Sequence, residues 1–347
     1  MNSPALEVRT VRAVDVLSYA ERFALRSAVS RQQRRVLEAA LTGLRAHVDA
    51  WNPPGQAADR PALPPFVHVP LSVFAAIRGD AAPAVPVSAA TALLFLGIDI
   101  FDDVADGDCG ARWPEFSAAE MNLCAATLLC SLPQQLISGL DAPPAVIARM
   151  HRTLAQGLLR MSAGQQDDLA RMGACEVSVE DVIDSVESKS GEEVAMFARL
   201  AAELAGADEP LSDVYADFGR SLGTAGQLAS DCYELFTDPD GRDFAHGART
   251  LPVALYLERL SGDGRTSCVE LLDRARVDEA ARQRVREALH GGAVMRRCAF
   301  IVETYCQRAI RAVQTAQARQ PGRDDLFALV ESITFFPQGE NDEQRSR

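Results

Sequence analysis

Three aspartates stand at the end of a strongly apolar stretch of the chain. Asp102, Asp103 and Asp106 follow residues 93–101, which are apolar at nearly every position. If this stretch is a helix, Asp102 and Asp106 share one face and lie about 6 Å apart along the axis. Two charges at that separation repel each other by about 1 kcal/mol in water and by several times more in a protein. The spacing points to Mg²⁺, which takes one or two carboxylates and completes its shell with waters and substrate phosphates. An acidic surface turn is the alternative for this string alone.

A second group of oxygen ligands follows about 125 residues later. Ser230, Asp231 and Glu234 stand at the end of another predicted helix, and Lys189, the only lysine among 35 basic residues, lies between the two groups. Two such helix ends facing each other would form a metal-lined mouth above an apolar cavity, which suits a diphosphate. As the C–O bond of an allylic diphosphate breaks, metals and Lys189 would stabilise the leaving group.

The carbocation left by such a reaction needs an apolar wall that excludes water. Phe95 and Phe101 lie within two turns of Asp102 and are candidates for this wall, although ordinary helix packing explains them equally well. Gly97 is small where a bulky residue would floor the pocket. This favours a C15 or C20 substrate over a C10 substrate.

The composition excludes several other classes of function. The net charge is −13, without a basic run, so the chain is not expected to bind nucleic acid or anionic lipid. No stretch of about 18 uncharged apolar residues and no signal pattern appears, which predicts a cytoplasmic protein without membrane insertion. The eight cysteines form no C-x-x-C pair and are expected to be reduced thiols.

The apolar periodicity predicts an almost entirely helical chain. Helices are expected at residues 20–51, 66–79, 86–107, 116–140, 143–172, 178–205, 209–236, 249–262, 278–289, 292–318 and 323–335. A Pro/Gly-rich connector at 52–65 is expected to be a loop, and no second linker resembles it. We therefore expect one all-α domain at 20–336, after an N-terminal segment at 1–19 and before a disordered tail at 337–347.

Together the motifs resemble the trans-isoprenyl diphosphate synthase (polyprenyl synthetase) family of the class I isoprenoid fold. The three aspartates at 102–106 match its first aspartate-rich motif, and Arg112 stands at one of the two arginines that follow that motif. Four further motifs occur in the family's order. They are G-Q-x-x-D at Gln165 and Asp168, Lys-Thr at Lys189-Ser190, the second aspartate-rich motif at 227–234, and G-x-D-x-x-x-G-x-x-T-L-P at 241–252.

The resemblance implies a single-domain helical bundle around a central apolar cavity, an allylic prenyl diphosphate substrate, Mg²⁺ with three ions as the expected number, and a homodimer. It implies metal ligands at Asp102, Asp103, Asp106, Ser230, Asp231 and Glu234. It implies catalytic roles for Asp102, Asp106 and Lys189. The expected substrate-binding residues are Arg112, Gln165, Asp168, Lys189, Gln227, Arg242, Arg249, Phe95 and Phe101.

The departures from the family pattern concern the second substrate. Chain elongation needs isopentenyl diphosphate, which the family holds with a G-G-K-R-x-R-P motif, whereas residues 64–70 here read Pro-Pro-Phe-Val-His-Val-Pro. Phe95 replaces a histidine and Ala111 replaces the first of the two arginines. Each charge-assisted hydrogen bond lost is worth about 1.5–3 kcal/mol, so ordinary elongation is not expected.

The second acidic motif is altered as well. Ser230 and Glu234 are similar to the end of the metal motif of terpene cyclases, but Gly226 stands where that motif has asparagine. The leading hypothesis is a terpene synthase that ionises one prenyl diphosphate and cyclises or rearranges the cation. The alternatives are a prenyltransferase that uses a peptide or small-molecule acceptor, a residual polyprenyl diphosphate synthase, and an inactive partner subunit.

Overall fold

The structure is a computed structural model and describes residues 11–51, 64–171, 177–237, 241–290 and 293–333. Within these ranges all regular elements are helices, so the predicted all-α fold class is confirmed. The α-helices are α1 Ala13–Ser27, α2 Arg31–Trp51, α3 Pro65–Arg78, α4 Val85–Asp106, α5 Cys109–Arg112, α6 Ala118–Ala126, α7 Leu132–Ser138, α8 Pro144–Arg171, α9 Val179–Val186, α10 Glu192–Leu204, α11 Glu209–Thr237, α12 Arg242–His246, α13 Leu251–Leu257, α14 Gly262–Ala275, α15 Glu279–His290, α16 Val294–Thr315 and α17 Gly322–Glu331. Short non-α turns occur at Ala82–Ala84, Thr127–Ser131 and Glu187–Gly191.

The contacts divide the chain into two compact units. Among the described residues, unit 1 comprises 11–51, 64–155, 196–216 and 313–332, and unit 2 comprises 156–171, 177–195, 217–237, 241–290, 293–312 and residue 333. The divisions fall inside α8, α10, α11 and α16, so the units are not successive stretches of sequence.

Unit 1 is arranged around α4, which contacts α1, α3, α6 and α7. Buried hydroxyls attach α4 to α3: Ser88 Oγ donates to the Val67 carbonyl (2.7 Å) and Thr91 Oγ1 donates to the Phe66 carbonyl (2.6 Å). The helix ends at Gly107, whose φ of +83° is accessible to glycine at little cost. The aspartate motif is thus fixed at the end of a helix that is held on several sides.

Gly97 permits close packing inside unit 1. A Cβ at this position would lie 2.9 Å from Leu129 Cγ and 3.0 Å from Leu128 Cβ. The two leucines already fill the space beside Gly97. The C15 or C20 preference inferred from Gly97 stays a prediction.

In unit 2, α9 leads into the π-helical turn Glu187–Gly191, which continues into α10. Helix α13 contacts α9 and α15, and α14 contacts α12 and α15. Three short distances show that α8 and α11 approach this turn closely: Gly164 to Ser188, Gly191 to Thr224 and Gly223 to Ser190. The turn carries Lys189.

Several predicted helices differ from the observed ones. The expected helix at 20–51 is two helices, α1 and α2, and α1 already begins at Ala13, within the predicted N-terminal segment. The stretches at 116–140 and 178–205 are each interrupted by a π-helical turn, which apolar periodicity does not reveal. Helices α5, α12 and α14 were not predicted, since they are short or rich in glycine and polar residues. Most of the predicted 52–65 loop, and the predicted tail at 337–347, lie outside the described residues.

One segment of the described chain, Ala82–Asp106, is long and apolar enough to cross a membrane by length and composition. Of its most apolar window, 67% is buried inside the protein, and a core helix passes the same test. The segment contains α4, the central helix of unit 1.

Candidate functional site

The carboxylates of the first aspartate motif have different surroundings within unit 1. Asp102 is half-buried on the last turns of α4, and Asp106 is exposed at its end. The side chain of Asp103 is 15% exposed and is engaged by two donors: Arg112 Nη1 at 3.1 Å and Trp113 Nε1 at 3.0 Å. The pair predicted to share a helix face, Asp102 and Asp106, is therefore distinct from the neighbouring Asp103.

Arg112 is held between two carboxylates. Its Nη2 lies 2.6 Å from Asp99 Oδ2, while its Nη1 donates to Asp103. Burial raises the pKa of Asp103, and the hydrogen bond from Trp113 and the charge of Arg112 oppose that rise. Sequence reasoning missed Asp99 and Trp113, although the four-residue spacing of Asp99 and Asp103 would have indicated a shared helix face. In this structure the predicted substrate ligand Arg112 is bound by the protein's own aspartates.

An aromatic cluster occupies the positions that depart from the family pattern in unit 1. The rings of Phe66 and Phe95 are stacked, with centroids 4.0 Å apart and planes 14° apart. His47 lies 5.3 Å from Phe95 and 6.4 Å from Phe66. Burial and the nearby Arg112 charge lower the pKa of His47, with Asp99 opposing, which favours a neutral ring.

The surroundings of this cluster are also apolar. Phe66, Val67 and Val69 are at most 2% exposed. By contrast Phe101, predicted to line a cavity wall, is 45% exposed, so the wall role remains a prediction. The backbone segment on which the family places its basic residues is here part of the apolar core of unit 1.

Lys189 forms an ion pair in unit 2. Its Nζ lies 2.8 Å from Asp168 Oδ2, and Ser185 Oγ donates to the other oxygen of Asp168 at 3.2 Å. The Lys189 side chain is 27% exposed. The structure thus brings together the motif residues Asp168 and Lys189, which are 21 positions apart.

Gln165, one turn before Asp168 on α8, carries an unsatisfied acceptor. Its Oε1 is buried and has no hydrogen-bond partner among the described residues. A buried acceptor without a donor costs about 1–3 kcal/mol, and such groups in native proteins often serve a ligand. A bound ligand would supply the missing donor, and the substrate-binding role of Gln165 stays a prediction.

A hydrogen-bonded chain connects the Lys189 turn to the second acidic motif. Ser190 Oγ donates to Gln227 Oε1 (3.1 Å), and Gln227 Nε2 donates to Asp231 Oδ1 (2.8 Å). On the same helix, Ser230 Oγ donates to Glu234 Oε1 (2.7 Å). Asp231, a predicted metal ligand, is thus joined through Gln227 to the turn that carries Lys189.

Asp231 has the most perturbed carboxyl of this group. Burial, together with the charges of Asp243, Glu234 and Asp168, raises its pKa to about 7 against a hydrogen bond from Gln227, which lowers it. Sequence reasoning did not single out Asp243, although it stands in the matched motif at 241–252. Several carboxylates close together form an environment that a cation would stabilise.

The two arginines of the motif at 241–252 that are predicted to bind substrate have different surroundings. Arg242 is exposed at the start of α12. The side chain of Arg249 is 5% exposed, donates to the Gly247 carbonyl at 3.2 Å and lies 3.7 Å from Asp273 Oδ1. The phosphate contacts predicted for both residues remain predictions.

The donor set fits Mg²⁺ chemically. The candidate ligands are carboxylates and a hydroxyl, the hard oxygen donors that Mg²⁺ prefers. The raised pKa of Asp231 and the unsatisfied oxygen of Gln165 are two observations that a cation and its waters would account for. Among the described residues, no group of three His, Cys, Asp or Glu is placed to hold a metal ion. A substrate diphosphate would have to complete the metal shell.

Comparisons with known proteins identify the family. The polyprenyl synthetase family model matches residues 72–289. Geranylgeranyl diphosphate synthase of Mycobacterium tuberculosis is 30% identical over 274 residues, which are 75% of each chain. Tryptophan prenyltransferase ComQ of Bacillus subtilis subsp. natto is 30% identical over 153 residues, 44% of this chain and 45% of that protein.

A solved structure shows the same fold. The polyprenyl synthetase from Streptomyces coelicolor A3(2) superposes with a TM-score of 0.75, at 21% identity, covering 92% of this chain and 96% of that one. The motifs, the family match and the fold agree. The chain belongs to the polyprenyl synthetase family, whose members are prenyl-transferring enzymes that act on prenyl diphosphates.

Proposed function

We propose that the protein is a class I terpene synthase. It ionises one allylic prenyl diphosphate of C15 or C20, breaks the C–O bond, releases diphosphate, and cyclises or rearranges the carbocation before a proton is lost. Family members generally use Mg²⁺. The same requirement is proposed here.

The stack of Phe66 on Phe95 is the observation that carries this proposal. These two rings lie at positions where the family places charged or polar groups for a second diphosphate, and the neutral His47 packs beside them. An anion beside buried apolar groups loses its solvation and gains no hydrogen bonds. The cluster therefore supports a reaction that uses one diphosphate rather than two.

The residues of each unit have defined roles in the proposal. Asp102 and Asp106 are the proposed metal ligands of unit 1, and Ser230, Asp231 and Glu234 are the proposed metal ligands of unit 2. Bound Mg²⁺ would neutralise the leaving diphosphate.

Other side chains of unit 2 contact the substrate itself. Lys189 donates to a diphosphate oxygen. Gln165 Oε1 accepts a hydrogen bond from a water bound with the metal and the substrate. Gln227 orients Asp231 through the hydrogen bond described above.

Transfer to an acceptor other than isopentenyl diphosphate is the second candidate. It is supported by the match to a tryptophan prenyltransferase and by the Lys-Ser-Gly sequence at 189–191, which is similar to that branch of the family. A residual polyprenyl diphosphate synthase is the third candidate, supported by the geranylgeranyl diphosphate synthase match. A homodimer and a cytoplasmic location stay predictions.

Product analysis separates the three candidates. The purified protein is incubated with Mg²⁺ and each of the C10, C15 and C20 allylic diphosphates, with and without isopentenyl diphosphate. A hydrocarbon or alcohol from C15 or C20 alone supports the terpene synthase. Substrate consumed only after a peptide or cell extract is added supports the transferase. A longer prenyl diphosphate, formed only with isopentenyl diphosphate, would contradict the proposed role of the aromatic cluster.

A further inference from the structure

The π-helical turn Glu187–Gly191 carries Lys189 and has an unusual backbone. The amide of Glu192 donates to the carbonyl of Glu187, five residues earlier, instead of four as in an α-helix. Such turns are rare and are often found at functional sites. Because a π turn contains one extra residue, its relaxation to an α turn would rotate Lys189 by about 100° about the helix axis.

Two neighbouring helices limit this turn through glycines. A Cβ on Gly164 of α8 would lie 2.9 Å from Ser188 Cβ, and a Cβ on Gly223 of α11 would lie 2.2 Å from the Ser190 carbonyl oxygen. These contacts exclude larger side chains but provide no directional bond. They do not by themselves determine how the turn begins.

A directional bond to the first residue of the turn comes from α16. Tyr305 Oη donates to Glu187 Oε1 at 2.7 Å, and the tyrosine is 7% exposed. Arg308 Nη1 lies 3.9 Å from the same carboxylate oxygen, and its guanidinium lies 4.7 Å from the centre of the Tyr305 ring. The hydroxyl of a buried tyrosine is almost always paired, so this bond is an integral part of the packing.

We propose that Tyr305 and Glu187 are positioning residues for Lys189. Their hydrogen bond holds the start of the π turn on α16, and the turn presents the Lys189 ammonium, two residues later, toward Asp168 and the diphosphate. This inference rests on the proposed function only in taking Lys189 as a diphosphate ligand. No motif named above includes Tyr305 or Glu187.

The test measures diphosphate binding directly, with inorganic pyrophosphate and Mg²⁺ titrated into the full chain by calorimetry. Tyr305→Phe and Glu187→Ala each remove the bond, and both should raise the Kd about tenfold. Glu187→Gln keeps an oxygen that accepts from Tyr305, so its Kd should stay within about twofold of wild type. The KM for the prenyl diphosphate should rise in parallel with the Kd.

Three controls accompany these variants. Arg308→Gln removes an exposed charge and its contact with the Tyr305 ring but leaves the hydrogen bond between Tyr305 and Glu187, so it should change the Kd less than about twofold. Tyr19→Phe makes the same chemical change in α1 and should have no effect. Thermal unfolding of each variant reports whether the fold is retained.

A double-mutant cycle distinguishes positioning from a general structural effect. In a Lys189→Ala background, Tyr305→Phe should produce no further rise in Kd. An equal rise in both backgrounds, or a wild-type Kd in folded Tyr305→Phe and Glu187→Ala, overturns the inference while leaving the proposed function intact. Wild-type protein that binds no pyrophosphate and consumes no prenyl diphosphate would instead overturn the proposed function and, with it, this inference.

Discussion

At the scale of residues, the aspartates of α4 differ in what they bind. Asp103 receives hydrogen bonds from Arg112 and Trp113, and Asp99 holds the same arginine. The pKa of Asp103 is raised, because the effect of burial on the carboxyl exceeds the opposing effect of these donors. Asp102 and Asp106, four residues apart, are the carboxylates proposed to bind metal.

Asp102→Asn should abolish diphosphate release and leave the fold intact. The substitution keeps the size of the side chain but removes a charged metal ligand, so we expect a loss of at least about 100-fold in kcat/KM. The measurement is pyrophosphate release from C15 and C20 substrates, together with the thermal unfolding midpoint. Asp141→Asn, which removes an exposed carboxylate in the loop before α8, is the matched control. Similar turnover in both variants would refute the metal assignment.

The raised pKa of Asp231 predicts a pH effect on stability. A carboxyl whose pKa rises from 3.8 to about 7 on folding binds more protons in the folded state between those values. Without metal, its contribution therefore becomes more destabilising as the pH rises through this window. The Asp231 carboxyl is therefore retained at a cost in stability, as expected of a residue with a function.

Asp231→Asn should stabilise the metal-free protein at pH 8. We expect a gain of about 2 kcal/mol in the free energy of unfolding at pH 8, which disappears at pH 4, where the wild-type carboxyl is protonated. Urea unfolding at both pH values, with EDTA present, measures the difference. Glu270→Gln, at an exposed position of α14, should show little change. A destabilised Asp231→Asn at pH 8 would contradict the prediction.

At the scale of elements, glycines determine how closely the helices approach the π turn. Cβ atoms at Gly219 and Gly223 of α11 would lie 2.4 Å and 2.2 Å from the carbonyl oxygens of Val194 and Ser190. Both oxygens belong to the backbone and do not move as a flexible side chain can. α11 can therefore lie against this segment only if these two positions are glycine.

Gly223→Ala should destabilise the protein although alanine is the better helix former. Overpacking at a buried contact costs about 1–3 kcal/mol, which exceeds the helix-propensity gain of about 1 kcal/mol. Gly264→Ala in α14 is the control, since a Cβ there meets nothing within 4 Å, and it should be neutral or slightly stabilising. Denaturant unfolding compares the two. Equal effects would mean that the close approach is absent in solution.

At the scale of the whole molecule, stability should depend on pH through His68 on α3. Burial lowers its pKa to about 4 from 6.5. The unfolded chain therefore binds more protons between these values, and stability is complete above about pH 6.5 and falls as the pH drops through the window.

His68→Phe should flatten this dependence. Wild type should lose about 1–3 kcal/mol of unfolding free energy between pH 7 and pH 4.5 from this group, and the variant should lose correspondingly less. The measurement is the urea midpoint across that range. A variant with the same pH slope as wild type would contradict the assignment to His68.

The sequence predicted those features that depend on neighbouring residues in the chain, and it did not predict those that depend on contacts between distant residues. Apolar periodicity and motif spacing are local properties, so they predicted the helical class, the family and the position of α4 within two residues. They failed where a helix continues through a π turn, since a single extra residue leaves apolar spacing almost unchanged. The sequence also could not predict that Gly97 packs against Leu128 and Leu129, because the contacts of a glycine depend on distant residues.

The amino-acid sequence alone determined which chemical groups are available: oxygen ligands at helix ends, a single lysine, and apolar residues in place of a basic motif. Only the tertiary structure decided which of these groups meet. In the folded protein Phe66 stacks on Phe95, and Lys189 forms an ion pair with Asp168. Arg112 forms ion pairs with Asp99 and Asp103, and Tyr305 donates a hydrogen bond to Glu187. These pairs are separated by up to 118 residues, and their contacts follow from helix packing, which chain-local patterns do not encode.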